Sequence, residues 1–521
     1  MERCGVCLSS PCPFPATHAS VSRQNIFSRT VVRCFVLAVV WGLFSTNLHA
    51  QANFVYTNNN NSFVQNTVSA FSVDSNGILA EISGSPFSTG GTGNGANGFI
   101  AANRITICNN FLYASNGLSG DVSGFSIDPS SGKLTTIPGS PFAAGGTTFF
   151  GISLAARAKC DFLFAANGDL SEIFVFQIDN NGALVPVQGS PFSVPSQPDG
   201  VRVSPDGKLL SASLTNLGSG EVAMFTIAST GALTSVPGSP FPISPAAQTP
   251  AGIEINCASD LLFVAEFSST VDVFNIASDG TISLIPGSPF SSPSGNVVSA
   301  LSPNGQFLFT SNLSSGVNSF QVTSDGAVTA VTGSPFAAGL GSSSGVAVNS
   351  AGTLLYVSDF DASLVSVMRL ASNGTLTLAP GSPLTTGQPG GLFSLAAFPT
   401  KPCLSALQVA IDIKPGSFPN SINPKSRGKI PVAILSTSSF DAPNRVDTTS
   451  LTFGDTGDET SLAFCDSNSE DVNRDGLPDL VCHFNTQQTG FKGGDKQGTL
   501  KGKTLDGTHI VGTDSVNIVP K

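Results

Sequence analysis

The sequence predicts an all-β chain, and three observations carry that expectation. Only 11% of the 521 residues are charged while glycine occurs 55 times, a composition unlike that of helical proteins rich in Glu, Lys and Arg. The tetrapeptide Gly-Ser-Pro-Phe starts at Gly84, Gly139, Gly189, Gly238, Gly287, Gly333 and Gly381, with Leu384 replacing Phe in the last copy. Turn pairs such as Asn76-Gly77, Asn181-Gly182, Asp279-Gly280, Asp325-Gly326 and Asn373-Gly374 lie between apolar segments. Asn and Asp tolerate positive φ and Gly adopts it freely, so these pairs mark hairpins.

The tetrapeptides repeat with a mean period of about 50 residues, slightly above the length of a four-stranded propeller blade. In each unit an alternating segment such as Val271 to Ile276 precedes the hairpin turn, and a second such as Thr281 to Ile285 follows it. Two more strands lie upstream, exemplified by Gly200 to Val203 and Leu209 to Leu214, separated by the turn Pro205-Asp206-Gly207. Four strands per unit and seven units predict a seven-bladed β-propeller. The tetrapeptide reads as the exit from the outermost strand, with Pro ending the ladder and Phe packing back on the sheet.

The ends of the repeat region predict how the ring closes. The first unit begins at Asn53 with what is a second strand elsewhere, and the missing innermost strand is found at Gly391 to Phe398. That segment is expected to complete the first blade, which removes most open strand edges.

Ahead of the ring, Arg23, Arg29 and Arg33 precede an apolar run from Cys34 to Phe44 and a polar stretch ending at Ala50, the layout of a secretory signal. The run is too short to span a bilayer as a mature helix, and no later segment is long and apolar enough. Residues 1–50 are therefore expected to be a discarded leader and signal, and the rest to be secreted, periplasmic or on the cell surface as a monomer. Without that leader, which holds four Arg and one Glu, the net charge moves from -11 to -14. Such a balance excludes a nucleic-acid partner, which needs clustered cations. Of the six later cysteines, Cys465 and Cys482 are the expected disulfide because they bracket one compact loop, whereas Cys108, Cys160 and Cys257 are expected to pack as small apolar residues.

The second strand of each unit ends in residues such as Val55-Tyr56-Thr57-Asn58, Tyr113-Ala114-Ser115-Asn116, Phe164-Ala165-Ala166-Asn167, Phe309-Thr310-Ser311-Asn312 and Tyr356-Val357-Ser358-Asp359. With the Phe and Gly pattern that follows, residues 52–399 resemble the Tyr-Val-Thr-Asn repeat family and the lactonase-like propellers related to 6-phosphogluconolactonase. The resemblance implies the fold and, more weakly, hydrolysis of a sugar or related lactone. The repeated Asn has a plainer role too, since short polar side chains cap turns. Leu214 and Glu266 depart from it.

A lactonase needs a base for water and a group to receive the oxyanion. The ring has no histidine, so the candidate catalytic residues are Arg202, Glu254 and Glu266, with Asp199, Asn312 and Asp359 as candidate partner-binding residues. All are expected to crowd one mouth of the channel. Arg202 and Glu254 follow a Gly by two residues in adjacent units, which equally fits an inter-blade ion pair. With seven Lys and Arg against nineteen Asp and Glu in the ring, a phosphorylated lactone is poorly served.

Residues 400–407 read as a linker and 408–521 as a small β-sandwich-like domain with strand candidates at Val409 to Ile413, Lys429 to Leu435 and Ser515 to Val519. The stretches Ile411 to Gly416 and Ile430 to Leu435 resemble accessory domains on secreted bacterial proteins. In Asp471-Val472-Asn473-Arg474-Asp475-Gly476-Leu477-Pro478-Asp479, oxygen side chains fall at loop positions 1, 3, 5 and 9, Gly at 6 and the Leu477 carbonyl at 7. That spacing predicts structural calcium, a hard cation that takes six to eight oxygens, with no organic cofactor. Taken together, the sequence favours an exported propeller offering a face to a protein, glycan or small lactone, braced by a calcium-binding accessory domain. A lactonase-like hydrolase is the alternative.

Overall fold

A computed structural model of the chain describes residues 53–519 except 62, 96–101, 217–218, 245–248, 294, 313–315, 324, 389–390, 393, 401–402, 404–406, 438–439, 458 and 506–507. The expected leader and signal, with Cys4, Cys7 and Cys12, lie outside the described residues, as does most of the expected linker. Among the described residues no helix is long and apolar enough to cross a membrane.

Seven sheets form the ring, each with four strands in simple up-and-down order and a short fifth strand pairing back on the third. In the first blade the innermost strand is Ser394–Phe398, paired antiparallel with Asn53–Asn58 so that Phe54 faces Phe398 and Asn58 faces Ser394. The ring thus closes with three strands from its start and one from its end, as the repeat count implied.

The tetrapeptide does more than end a ladder. Its Gly takes φ between 77° and 95° in all seven copies, a region open to Gly at little cost, and its Ser-Pro peptide is cis each time. The Ser hydroxyl then accepts the N–H of a third-strand residue in every blade, fifteen positions upstream in six of them and sixteen in blade two, where Gly124 donates to Ser140, at 2.9–3.1 Å. The residue after Pro starts the fifth strand, as where Phe290 faces Val271. A serine at this point therefore satisfies a donor that the four-strand ladder leaves open. Replacing Ser190 by Ala is expected to cost about 1–3 kcal/mol by orphaning the Val175 N–H. A denaturation series in which Ser190→Ala shifts no more than the exposed Ser193→Ala would refute that role.

Blades interlock through side chains of the second strand. Tyr56 and Tyr113 each donate a hydrogen bond at 2.8 Å to the hairpin glycine carbonyl of the next blade, at Gly132 and Gly182. A Cβ on Gly182 would stand 2.6 Å from the Phe111 ring, so the Asn-Gly turn is required by close packing as well as by its φ of +83°. Disulfides add staples. Cys108–Cys160 joins blades two and three, and Cys257–Cys403 joins blade five to the chain leaving the ring. The expectation that Cys108, Cys160 and Cys257 pack as free apolar residues is therefore corrected. The first two end up side by side because Cys108 ends the innermost strand of blade two and Cys160 lies in the turn that follows the innermost strand of blade three, at the same lower end of the ring.

Beyond the ring, two four-stranded sheets enclose a core that includes Ile413, Val432, Ile434, Phe453, Cys482, Phe484 and Leu500. Cys465 and Cys482 face each other on adjacent strands and are disulfide-bonded. This β domain lies against the ring, its Leu505 and Thr508 beside turns of blades six and seven.

Candidate functional site: the central channel

Innermost strands run down the channel, which gives it an upper mouth where they begin and a lower mouth where they end. In blade four the innermost strand is Gln197–Val203 and in blade five Pro250–Ile255. Asp199 lies near the start of the first, whereas Arg202 and Glu254 lie next to the last residues. Second strands run the opposite way, so Glu266 at the end of Leu261–Glu266 and Asp359 at the end of Leu354–Asp359 belong to the upper mouth, as does Asn312 just beyond Phe307–Ser311. The expected single cluster is thus divided in two. Counting from the internal glycines misjudged the depth, because each of these strands starts two or more residues before its Gly.

At the lower mouth the ends of all seven innermost strands, together with Thr400 and Cys403, line a cavity of about 420 Å³. Arg202 and Glu254 meet there across blades four and five. The Arg202 guanidinium donates to both Glu254 oxygens, through Nε at 3.1 Å and through Nη2. The Glu254 side chain is nearly enclosed at 4% exposure and the Arg202 side chain keeps 31%, so the arginine is the more open partner on the cavity wall. Ser299 lines the same space, and its buried hydroxyl has no hydrogen-bond partner among the described residues. It would stand 2.9 Å from a Cβ on Gly252, two positions before Glu254 on the neighbouring strand. The other cavity guanidinium, Arg157, is tied to Asp161 through both Nε and Nη2.

At the upper mouth the Asn/Asp positions are mostly occupied with turns. Asp359 accepts the N–H groups of Gly341, Ser342, Asp361 and Ala362 at 2.6–2.9 Å. Asn167 accepts those of Asp169 and Leu170, and Asn312 that of Gly316. Two carboxyls there differ. Asp199 is fully buried, held by Thr215 and by Gln197 at 3.1 Å, and burial pushes its pKa up to about 8. Glu266 is fully buried too. Its Oε2 accepts from Thr270 at 2.6 Å and Ser268 at 3.2 Å, its Oε1 has no partner among the described residues, and burial beside Asp272 raises it to about 8. Nearby, the Arg104 guanidinium is enclosed, anchored to Asn94 Oδ1 at 3.1 Å, and lowered by burial to about 9.

In the β domain the acidic loop folds on itself. Asp471 accepts the N–H groups of Asp475 and Gly476, Asn473 also accepts that of Asp475, and Asp475 accepts that of Leu477. Asp479 is fully buried with its oxygens on the N–H groups of Ser436 and Val472, which places it as a brace beneath the loop rather than on its exposed rim. Among the described residues no group of three His, Cys, Asp or Glu side chains is arranged to hold a metal.

Sequence reasoning missed Ser299, Arg104 and Asp272, because an isolated Ser, Arg or Asp within or just ahead of a strand carries no pattern. The Cys108–Cys160 pair carried only a loose one, since Cys108 precedes the second strand of its blade by three residues and Cys160 by two.

Comparison with known proteins bears first on the ring. Residues 46–197 match the family model described as lactonase, 7-bladed beta-propeller. No curated protein matches the chain. A putative 6-phosphogluconolactonase from Bacteroides fragilis aligns with TM-score 0.54 at 20% identity, over 68% of this chain and 99% of that one. A second putative 6-phosphogluconolactonase, from Bacteroides uniformis, aligns with TM-score 0.52 at 17% identity, over 67% and 99%. The periplasmic gluconolactonase of Pseudomonas aeruginosa aligns with TM-score 0.51 at 19% identity, over 67% and 98%. Residues 53–398 therefore form a seven-bladed propeller with the fold of the lactonase-like, 6-phosphogluconolactonase-related proteins, and the first three blades carry that family's sequence pattern as well.

Proposed function

We propose that the protein is an exported lactone hydrolase whose reaction centre is the Arg202–Glu254 pair in the lower channel cavity. The observation that carries this reading is the pair itself, a carboxylate and a partly exposed arginine on one wall of a 420 Å³ cavity of ligand size. Glu254 takes a proton from water as the oxygen attacks the lactone carbonyl, and Arg202 receives the negative charge on the carbonyl oxygen. The ring C–O bond then breaks, and the leaving alkoxide takes the proton back from Glu254 to give the hydroxy acid. The lactonase family match supports the reaction class, and the periplasmic gluconolactonase among the structural relatives supports the compartment. So do three disulfides, which persist in oxidising surroundings.

Hydrolysis of a lactone panel, followed by acid release, tests the reading. Glu254→Gln and Arg202→Ala are each expected to lower kcat by about 100-fold or more, the scale of losing a general base or an oxyanion partner. Full activity in both variants would move the chemistry elsewhere.

A second reading, a binding propeller without catalysis, draws on the upper rim. Phe63 and Phe149 are 59% and 60% exposed there, and Asp169 holds the Phe149 and Phe150 N–H groups at 2.6 and 2.9 Å, so that loop displays its ring on a fixed backbone. In either case the Asp471 loop is a structural calcium site, with Asp471, Asn473, Asp475 and the Leu477 carbonyl as ligands and Asp479 as support. Chelator should lower the melting temperature of the β domain and added calcium restore it. A melting curve indifferent to both removes calcium from the account.

A further inference from the structure

A second cavity adjoins the first. It measures about 530 Å³ and lies between the lower face of blades six and seven and the β domain. Ser302 lines both spaces, and the turn from Ser302 to Phe307 forms the sill between them, with Gly305 on the channel side and Asn304 and Gln306 on the other. None of the described residues lining this groove is charged. Its polar groups include the hydroxyls and amides of Ser302, Asn304, Gln306, Ser350, Thr353 and Thr508, and its apolar ones include Phe307 and Leu505, the latter 71% exposed.

In the channel the cations are already paired. The cavity's two guanidiniums are each held by a carboxylate through two nitrogens, Arg157 by Asp161 and Arg202 by Glu254. A phosphate or second carboxylate entering here meets cations that are already neutralised, and drawing Arg202 away from Glu254 would leave that carboxylate buried and unpaired, at a large cost. A neutral polyhydroxylated ligand meets no such penalty. Its hydroxyls match neutral donors and acceptors, its C–H faces match Phe307 and Leu505, and the unpartnered Ser299 hydroxyl offers one more polar contact inside.

We infer that the groove is a saccharide subsite and that the substrate is the lactone of an uncharged oligosaccharide aldonic acid, with the lactone in the channel and the neighbouring sugar across the sill. The inference rests on the channel being the reaction centre. It specifies what that centre is built to receive, and it gives the β domain a share in the site through Leu505 and Thr508.

The test compares kcat/KM for glucono-δ-lactone, its 6-phosphate and the δ-lactone of cellobionic acid, using the whole protein. The disaccharide lactone is expected to exceed the monosaccharide by roughly tenfold, the worth of one or two net hydrogen bonds, and the phosphate to be the poorest. In a Gln306→Ala/Thr353→Ala variant with an unchanged melting temperature, the ratio of disaccharide to monosaccharide should fall towards one. Equal kcat/KM for the two neutral lactones, a preference for the phosphate, or a ratio untouched by the double substitution overturns the inference. Should no lactone be hydrolysed, the catalytic reading falls and the groove is judged by calorimetric titration with cellobiose, maltose and lactose. Binding of any of them, lost in the double variant, upholds the subsite, and the absence of binding overturns it.

Discussion

Replacing Glu266 by glutamine is expected to stabilise the protein at pH 8 and to leave it unchanged near pH 4. Burial and the adjoining Asp272 raise the Glu266 carboxyl to about 8, against 4.5 for an ordinary glutamate. Between those values the folded chain holds a proton that the unfolded chain has released, so stability falls as pH rises through that window and levels off above it. At about 1.4 kcal/mol per pH unit, the loss at pH 8 is on the order of 3–5 kcal/mol. Glutamine keeps the shape, cannot ionise, and offers an N–H donor towards Asp272, so the variant should escape the loss. Thermal melts of both proteins from pH 4 to pH 9 check this. Parallel curves would show that Glu266 stays ionised in the fold. Asp199, raised by burial to about 8 on the same side of the ring, adds a slope of the same sign that survives in the Glu266→Gln protein.

The same substitution separates structure from function. A carboxyl buried at a cost is a common mark of a site that needs its chemistry. If Glu266→Gln gains stability and keeps lactone hydrolysis, Glu266 is an odd residue in an asparagine position. If it gains stability and loses hydrolysis, the centre belongs at the upper mouth and the Arg202–Glu254 pair is an inter-blade tie.

The ring was legible because its signals are local and repeated. Turn pairs such as Asn181-Gly182 and the tetrapeptides lie close in sequence to the strands they join, and seven copies make the period unmistakable. Ring closure was legible for the same reason, as one strand is missing at the start and one is left over at the end. The candidate site was legible only in part. Arg202 and Glu254 stood out as charges in equivalent positions, and they do meet, but which mouth they serve depends on where a strand begins to within two residues. Glu266 stood out as a departure from the Asn pattern, yet its partner Asp272 lies on the next strand, a contact set by register rather than sequence. The Cys257–Cys403 bond spans 146 residues and joins blade five to the chain beyond the ring, a distance at which spacing says nothing. The neutral groove under blades six and seven exists only because a second domain rests there, and no local pattern encodes that.

Removing the Phe398 ring should be among the most damaging single changes in the propeller. Phe398 is 4% exposed at the end of the closing strand, pairs with Phe54 in register and stacks with its ring at a centroid distance of 6.3 Å. It shares a core with Tyr56, Ile105 and Ile107, so it holds the closing strand against blades one and two at once. Truncation of a buried Phe to Ala ordinarily costs about 3–5 kcal/mol. Here the loss falls on the contact that joins the two ends of the ring, between residues more than three hundred positions apart, and the entropy of that large loop opposes closure whenever the contact weakens. Phe398→Ala is therefore expected to lose hydrogen-exchange protection first and together in Asn53–Asn58 and Ser394–Phe398, while blades three to five stay protected. Phe309→Ala, a comparable truncation inside blade six, should cost a similar free energy without opening the first blade. If both variants lose protection evenly around the ring, closure is not a separable step and the seven blades unfold as one.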